Sequence, residues 1–206
     1  MGFRDATHFW NARFDQEEFI FGKEPNDYLV EQSTKYLKSK NSVLSIADRE
    51  GRNAAWLAKQ GMYVTAFDIS ELAVAKANQL ARDNQVQIQF SLCDTDSFDW
   101  QANQYDAVIA IFIQFADPAM RARIFKQVQL ALKSGGLFIL QGYTPKQLEY
   151  KTGGPSRIEH LYTEEMIRDL AKELEILDLR CYEQEIFEGV KHDGMSALLG
   201  LTARKH

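Results

Sequence analysis

The sequence of 206 residues predicts an α/β protein with a mostly parallel sheet, helices on both faces and an antiparallel C-terminal strand. Two observations carry this prediction. Short apolar strands alternate with helical segments between Val43 and Tyr143, which is the pattern of a parallel sheet with crossover helices. Two further strand patterns then follow with no helix between them, so they form a hairpin with one strand antiparallel to the rest.

Residues that start or stop regular structure bound the elements. Pro25 suits the first turn of a helix, and Ser70 is a suitable N-cap for the helix that begins there. Gly61 ends the helix that runs from Asn53 to Gln60. Val86–Leu92 alternates as a strand does, whereas Tyr105–Phe112 is apolar throughout, as in a buried parallel strand.

Seven strands and six helices result, giving a Rossmann-like order. The predicted strands are Val43–Ala47, Tyr63–Phe67, Val86–Leu92, Tyr105–Phe112, Leu137–Tyr143, Ile176–Phe187 and Met195–Ala203. The predicted helices are Ala6–Phe21, Pro25–Leu37, Asn53–Gln60, Ser70–Asn84, Asp117–Leu132 and Thr163–Leu174. We expect one domain over residues 1–206, with residues 1–40 as an N-terminal helical cap.

Composition narrows the functional classes. A net charge of −5 with 26% charged residues argues against a nucleic-acid or membrane-surface partner, which usually requires a basic face. The two cysteines, Cys93 and Cys181, form neither a disulfide framework nor a metal motif. The N-terminus lacks the pattern of a secretory signal. We therefore expect a cytoplasmic monomer or weak homodimer without a metal site.

Three turns at the carboxyl ends of neighbouring strands are the candidate ligand site, because ligands of such sheets bind there. In the first turn, Gly51 permits close backbone approach at a helix N-terminus. Asp48 in the same turn favours a ligand that carries positive charge. Asp68 ends the second strand and can accept hydrogen bonds from ribose hydroxyls. Asp94 follows the third strand and can accept one from an exocyclic amine such as that of adenine.

These turns resemble the motifs of class I S-adenosylmethionine-dependent methyltransferases. The segments that carry the resemblance are Val43–Ala54, Val64–Ser70, Cys93-Asp94 and Leu132–Phe138. The segments around Trp10–Phe14, Phe21–Asn26 and Tyr143–Pro155 are similar to the subgroup of tellurite-resistance and thiopurine methyltransferases. The resemblance implies S-adenosyl-L-methionine as cofactor and a seven-stranded sheet.

The resemblance also implies site residues. The expected cofactor-binding residues are Trp10, Arg13, Ala47, Asp48, Gly51, Asp68, Ile69, Cys93, Asp94, Ala110 and Ile111. The expected substrate pocket comprises Phe14, Phe21, Tyr143 and His160, while the catalytic residues stay unassigned. Related proteins have an acidic residue where Ser45 stands and glycines where Ala47 and Arg49 stand. A side chain at position 49 is strained if the turn requires a positive φ.

Two functions are carried forward. The first is methyl transfer to a small molecule, and the absence of a compelling general base suits a soft sulfur, selenium or tellurium nucleophile. The alternative is a non-catalytic nucleoside-binding or regulatory protein with a degenerate first motif, for which Arg49 is the main support. A nicotinamide-dependent oxidoreductase is disfavoured because the fingerprint glycines are missing.

Overall fold

A computed structural model describes residues 3–189 and 193–206. Residues 190–192 of the turn predicted around Gly189–Gly194 therefore lie outside the described residues. No helix in the described ranges is long and apolar enough to cross a membrane.

The predicted sheet is confirmed. Seven strands lie in the order β3-β2-β1-β4-β5-β7-β6. β7 runs antiparallel to both β5 and β6, whereas the pairs among β1 to β5 are parallel. The strands are β1 Ser42–Ile46, β2 Tyr63–Asp68, β3 Ile88–Leu92, β4 Tyr105–Ile111, β5 Leu132–Tyr143, β6 Leu174–Phe187 and β7 Asp193–Lys205. Strand order reverses at β1, which neighbours both β2 and β4 and thereby creates a crevice at its carboxyl end.

Helices cover both faces of this sheet. They are α1 Phe3–Phe14, α2 Asp27–Tyr36, α3 Arg52–Lys59, α4 Glu71–Asp83, α5 Pro118–Ala131, α6 Gln147–Tyr150 and α7 Glu164–Leu170, with a 3₁₀ turn at Ile158–His160. Successive residues of β1 enter different cores: Leu44 packs with Phe125 of α5, whereas Val43 packs with Leu57 of α3. This alternation is the two-residue period of a strand buried on both faces.

The predicted helix Ala6–Phe21 is wrong in its second half. The helix ends at Phe14, and the Phe14 and Phe21 rings lie 6.1 Å apart. A continuous helix would carry Phe21 about 10 Å further along the axis. Burial of both rings with Ala73 of α4 therefore bends the chain and ends the helix early.

Other predicted boundaries also move, among them those of α2, β5 and α7. Pro25 lies before α2, because the Asn26 side chain accepts a hydrogen bond from the amide of Leu29 and caps the helix. β5 begins at Leu132 instead of Leu137, since Gly135 and Gly136 lie in an irregularity within the strand and do not precede it. α7 is shorter than predicted, running from Glu164 to Leu170, and its N-cap is Thr163.

Gly200 in β7 leaves space for the ring of Tyr28, which is 2% exposed and attaches α2 to the sheet. A Cβ at position 200 would lie 2.5 Å from Cε2 of Tyr28. We expect Gly200→Ala to lower the free energy of unfolding by about 1–3 kcal/mol through overpacking, measured by urea denaturation. In a Tyr28→Leu background the same change should cost much less, because the two residues are in contact. Equal costs in both backgrounds would contradict this packing.

Candidate functional site

A large cavity lies at the carboxyl ends of β2 and β3. Its volume is about 220 Å³. Its lining residues are Ala6, Trp10, Ala47, Arg49, Phe67, Asp68, Ile69, Cys93, Asp94, Thr95, Asp96, Phe115 and Met120. The cavity therefore combines acidic oxygens with apolar and aromatic surface, which is the composition of a small-molecule site.

Sequence analysis anticipated part of this lining. The structure brings together Trp10, Ala47, Asp68, Ile69, Cys93 and Asp94, all of which were expected to bind the cofactor. It adds Thr95, which follows Asp94 directly, and Phe115 and Met120 after β4. The position of Phe115 and Met120 beyond a strand's carboxyl end was an available signal. The strand alone, however, does not show which side chains of the following loop and of α5 turn inward.

The Asp68 carboxylate is fixed by the backbone around it. Its Oδ2 accepts a hydrogen bond from the amide of Arg49 at 3.0 Å, and its Oδ1 accepts one from the amide of Ser70 at 2.9 Å. Burial raises the pKa of Asp68, and the bonds from Ser70 and Arg49 oppose that shift. The carboxylate thus joins the turns after β1 and β2 and can accept further bonds, since each oxygen has two lone pairs.

The Asp94 side chain uses one of its two oxygens to shape its own turn. Oδ1 accepts hydrogen bonds from the amides of Asp96 and Ser97 and from the Ser97 hydroxyl. Oδ2 accepts none of these three hydrogen bonds. It is available as an acceptor at the wall of the large cavity.

A small cavity adjoins the large one, and Ala47 and Arg49 line both. Its free volume is only about 10 Å³. Its lining residues are Phe21, Gly22, Ser45, Ile46, Ala47, Asp48, Arg49, Glu50, Arg52, Asn53 and Ile111. The small cavity is therefore a polar space almost filled by the turn after β1.

Asp48 is a buried carboxyl group in the wall of the small cavity, with 6% of the residue exposed. The Ser45 hydroxyl donates to its Oδ1 at 2.5 Å, while its Oδ2 has no hydrogen-bond partner among the described residues. Burial raises the pKa of Asp48 to about 7, although the bond from Ser45 opposes the shift. A buried acceptor without a partner favours a cationic or hydrogen-bond-donating ligand group beside it.

The Arg49 side chain lies across the boundary between the two cavities. Its Nη2 donates to the carbonyl of Phe112, which follows β4, at 2.9 Å, and its Cζ lies 4.1 Å from the centre of the Phe21 ring. Burial lowers the pKa of Arg49 to about 10, so the guanidinium is still charged at neutral pH. The expected strain is present, because Ala47 and Arg49 have φ of 48° and 57°.

The rest of the first turn attaches the N-terminal segment to the sheet. Glu50 Oε2 accepts from the amide of Phe21 at 3.4 Å, and Asn53 Oδ1 accepts from the amide of Asn26 at 3.0 Å. Arg52 donates to the carbonyl of Glu24 at 3.1 Å. These three contacts place Phe21 over the small cavity.

A buried ion pair continues this network to the other end of the chain. Arg52 Nη2 lies 2.5 Å from Glu188 Oε2, and both side chains are nearly inaccessible. The side-chain amide of Asn26 donates hydrogen bonds both to Glu188 and to Gln141 of β5. Sequence analysis missed these partners, because no local pattern relates residues that are more than a hundred positions apart.

Several expected site residues do not line either cavity. Gly51, with φ of 87°, packs against α4, where an added Cβ would lie 2.7 Å from that of Ala77. Ala110 is a fully buried core residue of β4. Arg13 lies on the outer side of α1, over the rings of Phe9 and Trp10. Gly51 thus permits close helix packing, and its expected role against the ligand is indirect.

The expected substrate residues are also dispersed. Phe21 lines the small cavity, whereas Phe14 packs in the interior below it. Tyr143 stacks on Phe112, with ring centres 4.7 Å apart. His160 Nδ1 lies 2.8 Å from the carbonyl of Gln114 and is bound to the loop after β4. Of the four, Phe21 thus lines one of the two cavities described above.

Comparison with known proteins supports a methyltransferase. Residues 43–136 match a family described as a methyltransferase domain. No curated protein is similar enough in sequence to count as a relative. Many solved structures share the fold, with identities below 25% in the three that follow.

The magnesium protoporphyrin IX methyltransferase of Synechocystis, solved with S-adenosylhomocysteine, is 18% identical over 99% of each chain, with a TM-score of 0.74. TehB from Haemophilus influenzae is 17% identical over 97% of this chain and 67% of its own, with a TM-score of 0.71. A third structure is associated with the conversion of a disulfide bond into a thioacetal group during echinomycin biosynthesis. It is 16% identical over 97% of this chain and 92% of its own, with a TM-score of 0.79. The chain therefore has the class I methyltransferase fold.

The raised pKa of Asp48 predicts how stability depends on pH. The unfolded chain releases this proton near pH 3.8, whereas the folded protein retains it up to about pH 7. The folded state binds more protons in this window, so the contribution of Asp48 to the free energy of unfolding falls as pH rises. We expect Asp48→Asn to gain about 2–4 kcal/mol relative to the wild type between pH 4 and pH 8, measured by urea denaturation.

Asp83→Asn, at the exposed end of α4, changes net charge equally and is the control for this experiment. Its difference from the wild type should vary little with pH. If the Asp48→Asn difference were equally flat, the Asp48 carboxyl group would be solvated in the folded protein.

Proposed function

We propose that this chain is a class I S-adenosylmethionine-dependent methyltransferase that methylates a small molecule at a soft nucleophilic atom. Its fold and its methyltransferase domain support the reaction class. The observation that carries the proposal is the large cavity between Asp68 and Asp94, with the unpartnered carboxylate oxygen of Asp48 beside it. The three acids lie at the carboxyl ends of successive strands, as adenosyl binding requires.

The residues of the large cavity fit the adenosine part of the cofactor. Asp68 is oriented by two amides and would accept hydrogen bonds from the ribose hydroxyls. Asp94 would accept one from the adenine amine through its Oδ2. Ile69, Phe115 and Met120 supply apolar surface for the base. Binding here fixes the position of the reactive centre, and such positioning is the main source of rate in a direct displacement.

The amino-acid and sulfonium part of the cofactor would meet Asp48, and it would meet the ring of Phe21 where Arg49 leaves that ring accessible. A carboxylate without a partner and an aromatic face both suit a cation. The cofactor supplies an activated methyl group there. The chain's own task is to hold that group in line with the acceptor and to exclude water, to which the burial of Phe21 contributes.

The side chains considered as general bases favour a nucleophile that needs no base. Burial raises the pKa of Tyr143, and burial next to Asp94 raises the pKa of Cys93 to about 11. His160 is engaged with a backbone carbonyl. A thiol is partly ionised near neutral pH, a selenol is ionised more fully and a telluride is already an anion, so none of them needs a base from the protein. The similar structure associated with conversion of a disulfide bond into a thioacetal group is a further support, because that conversion is sulfur chemistry.

The proposal predicts which acceptors turn over. We expect release of S-adenosylhomocysteine, measured by mass spectrometry, when the protein and S-adenosylmethionine are mixed with a thiol, a selenol or telluride. Rates should exceed those with an amine or a phenol by about tenfold or more, equal to about 1.4 kcal/mol of barrier. Asp68→Ala should abolish turnover with every acceptor. Turnover confined to the amine or phenol would overturn the acceptor class.

Asp94 offers a separate test of the adenine contact. Asp94→Asn keeps Oδ1 for the turn but replaces Oδ2 by an amide that donates hydrogen bonds. Because this amide would face the adenine amine, which is also a donor, Asp94→Asn should weaken binding of 5′-methylthioadenosine by about tenfold or more. Isothermal titration calorimetry measures this change. Binding of 5′-methylthioinosine, which presents a carbonyl there, should weaken less.

The exposed Asp99→Asn variant is the matched control and should bind both nucleosides as the wild type does. An unchanged adenosine-to-inosine preference in Asp94→Asn would place the base elsewhere.

A further inference from the structure

The Arg49 side chain lines both cavities and lies between the open space of one and the nearly filled space of the other. The large cavity offers about 220 Å³, whereas the small cavity next to it retains about 10 Å³. The smaller volume is at the lower limit for one water molecule, which requires ~10–15 Å³. The large cavity therefore has open space on its side of Arg49, whereas almost no space is left beside Arg49 in the small cavity.

Resident partners hold the guanidinium in this position. It donates to the Phe112 carbonyl and stacks on Phe21, whose own amide is bound by Glu50. Phe21 is thus held at its backbone by Glu50 and at its ring by Arg49, two adjacent residues of the same turn. Charge-assisted hydrogen bonds and stacked cation–aromatic contacts are both stronger when buried. Moving Arg49 therefore has a cost that a nucleoside does not incur.

Arg49 also competes chemically with the ligand. The Phe112 carbonyl, the Phe21 ring and the nearby Asp48 carboxylate together form a site for a cation, and the guanidinium already occupies part of it. An ammonium or sulfonium group that approached would compete for the same acceptors. It would also be repelled by the like charge, which is screened little in a buried site.

We infer that Arg49 is a specificity-determining residue that opposes the amino-acid end of adenosyl ligands. The site then binds nucleosides lacking that end at least as tightly as S-adenosylhomocysteine. This inference rests on the proposed function, because it takes the large cavity as the adenosine site. The opposite arrangement, in which Arg49 swings out and pairs with the ligand's carboxylate, predicts the reverse effect of removing the side chain.

The test is isothermal titration of the full chain with two ligands, 5′-methylthioadenosine and S-adenosylhomocysteine. Arg49→Ala removes the guanidinium but keeps a Cβ at positive φ, as Ala47 already has. We expect it to tighten S-adenosylhomocysteine binding by about tenfold or more, as one displaced charge-assisted hydrogen bond would. Binding of 5′-methylthioadenosine should change by less than about threefold, since that ligand leaves Arg49 in place.

Two further variants keep the test decisive. Arg49→Gly also relieves the positive φ, and it should give the same change in ligand preference if Arg49→Ala folds poorly. Arg168→Ala removes an exposed guanidinium of α7 with the same change in net charge and should preserve the wild-type preference.

Unchanged or weaker S-adenosylhomocysteine binding in both Arg49 variants would overturn the inference. Failure of 5′-methylthioadenosine to bind any of the proteins would instead overturn the adenosine site, and with it the proposed function.

Discussion

Buried polar side chains at the turn after β1 need hydrogen-bond partners, and this need constrains the rest of the structure. Glu50, Arg52 and Asn53 are between 2% and 6% exposed, and an unpaired polar group at such depth costs free energy comparable to a lost hydrogen bond or more. Each finds its partner in the segment between α1 and α2. The turn that faces the ligand site is therefore also the attachment point of the N-terminal segment.

The buried pair of Arg52 and Glu188 extends this dependence to the β6–β7 hairpin. Removing one partner of such a pair leaves an uncompensated charge, which is far more costly than the pair is stabilising. Asn26 reinforces the pair, because its amide reaches both Glu188 and Gln141 while its oxygen caps α2. The start of the chain, the middle of the sheet and the final hairpin thus meet at one buried polar cluster.

The same turn stores strain at the ligand site. Ala47 and Arg49 both adopt left-handed backbone conformations, which cost a residue with a side chain about 1 kcal/mol or more. The conformation persists because the amide of Arg49 must reach Asp68, and that of Asp48 bonds the carbonyl of Phe67. A glycine at position 49 would relieve the strain. The arginine instead carries a charged side chain to the boundary between the two cavities, which gives the first motif its chemical individuality.

The sequence by itself determined the sheet and the placement of Asp68 and Asp94 at strand ends, because these follow from local periodicity and from where each strand ends. Only the tertiary structure decided where α1 stops, that Gly51 serves helix packing, and that Arg52 pairs with Glu188, 136 positions away. It also decided the direction of the Arg49 side chain. A strand's pattern is written in neighbouring residues, whereas burial of a charge selects partners from whatever the fold brings within reach.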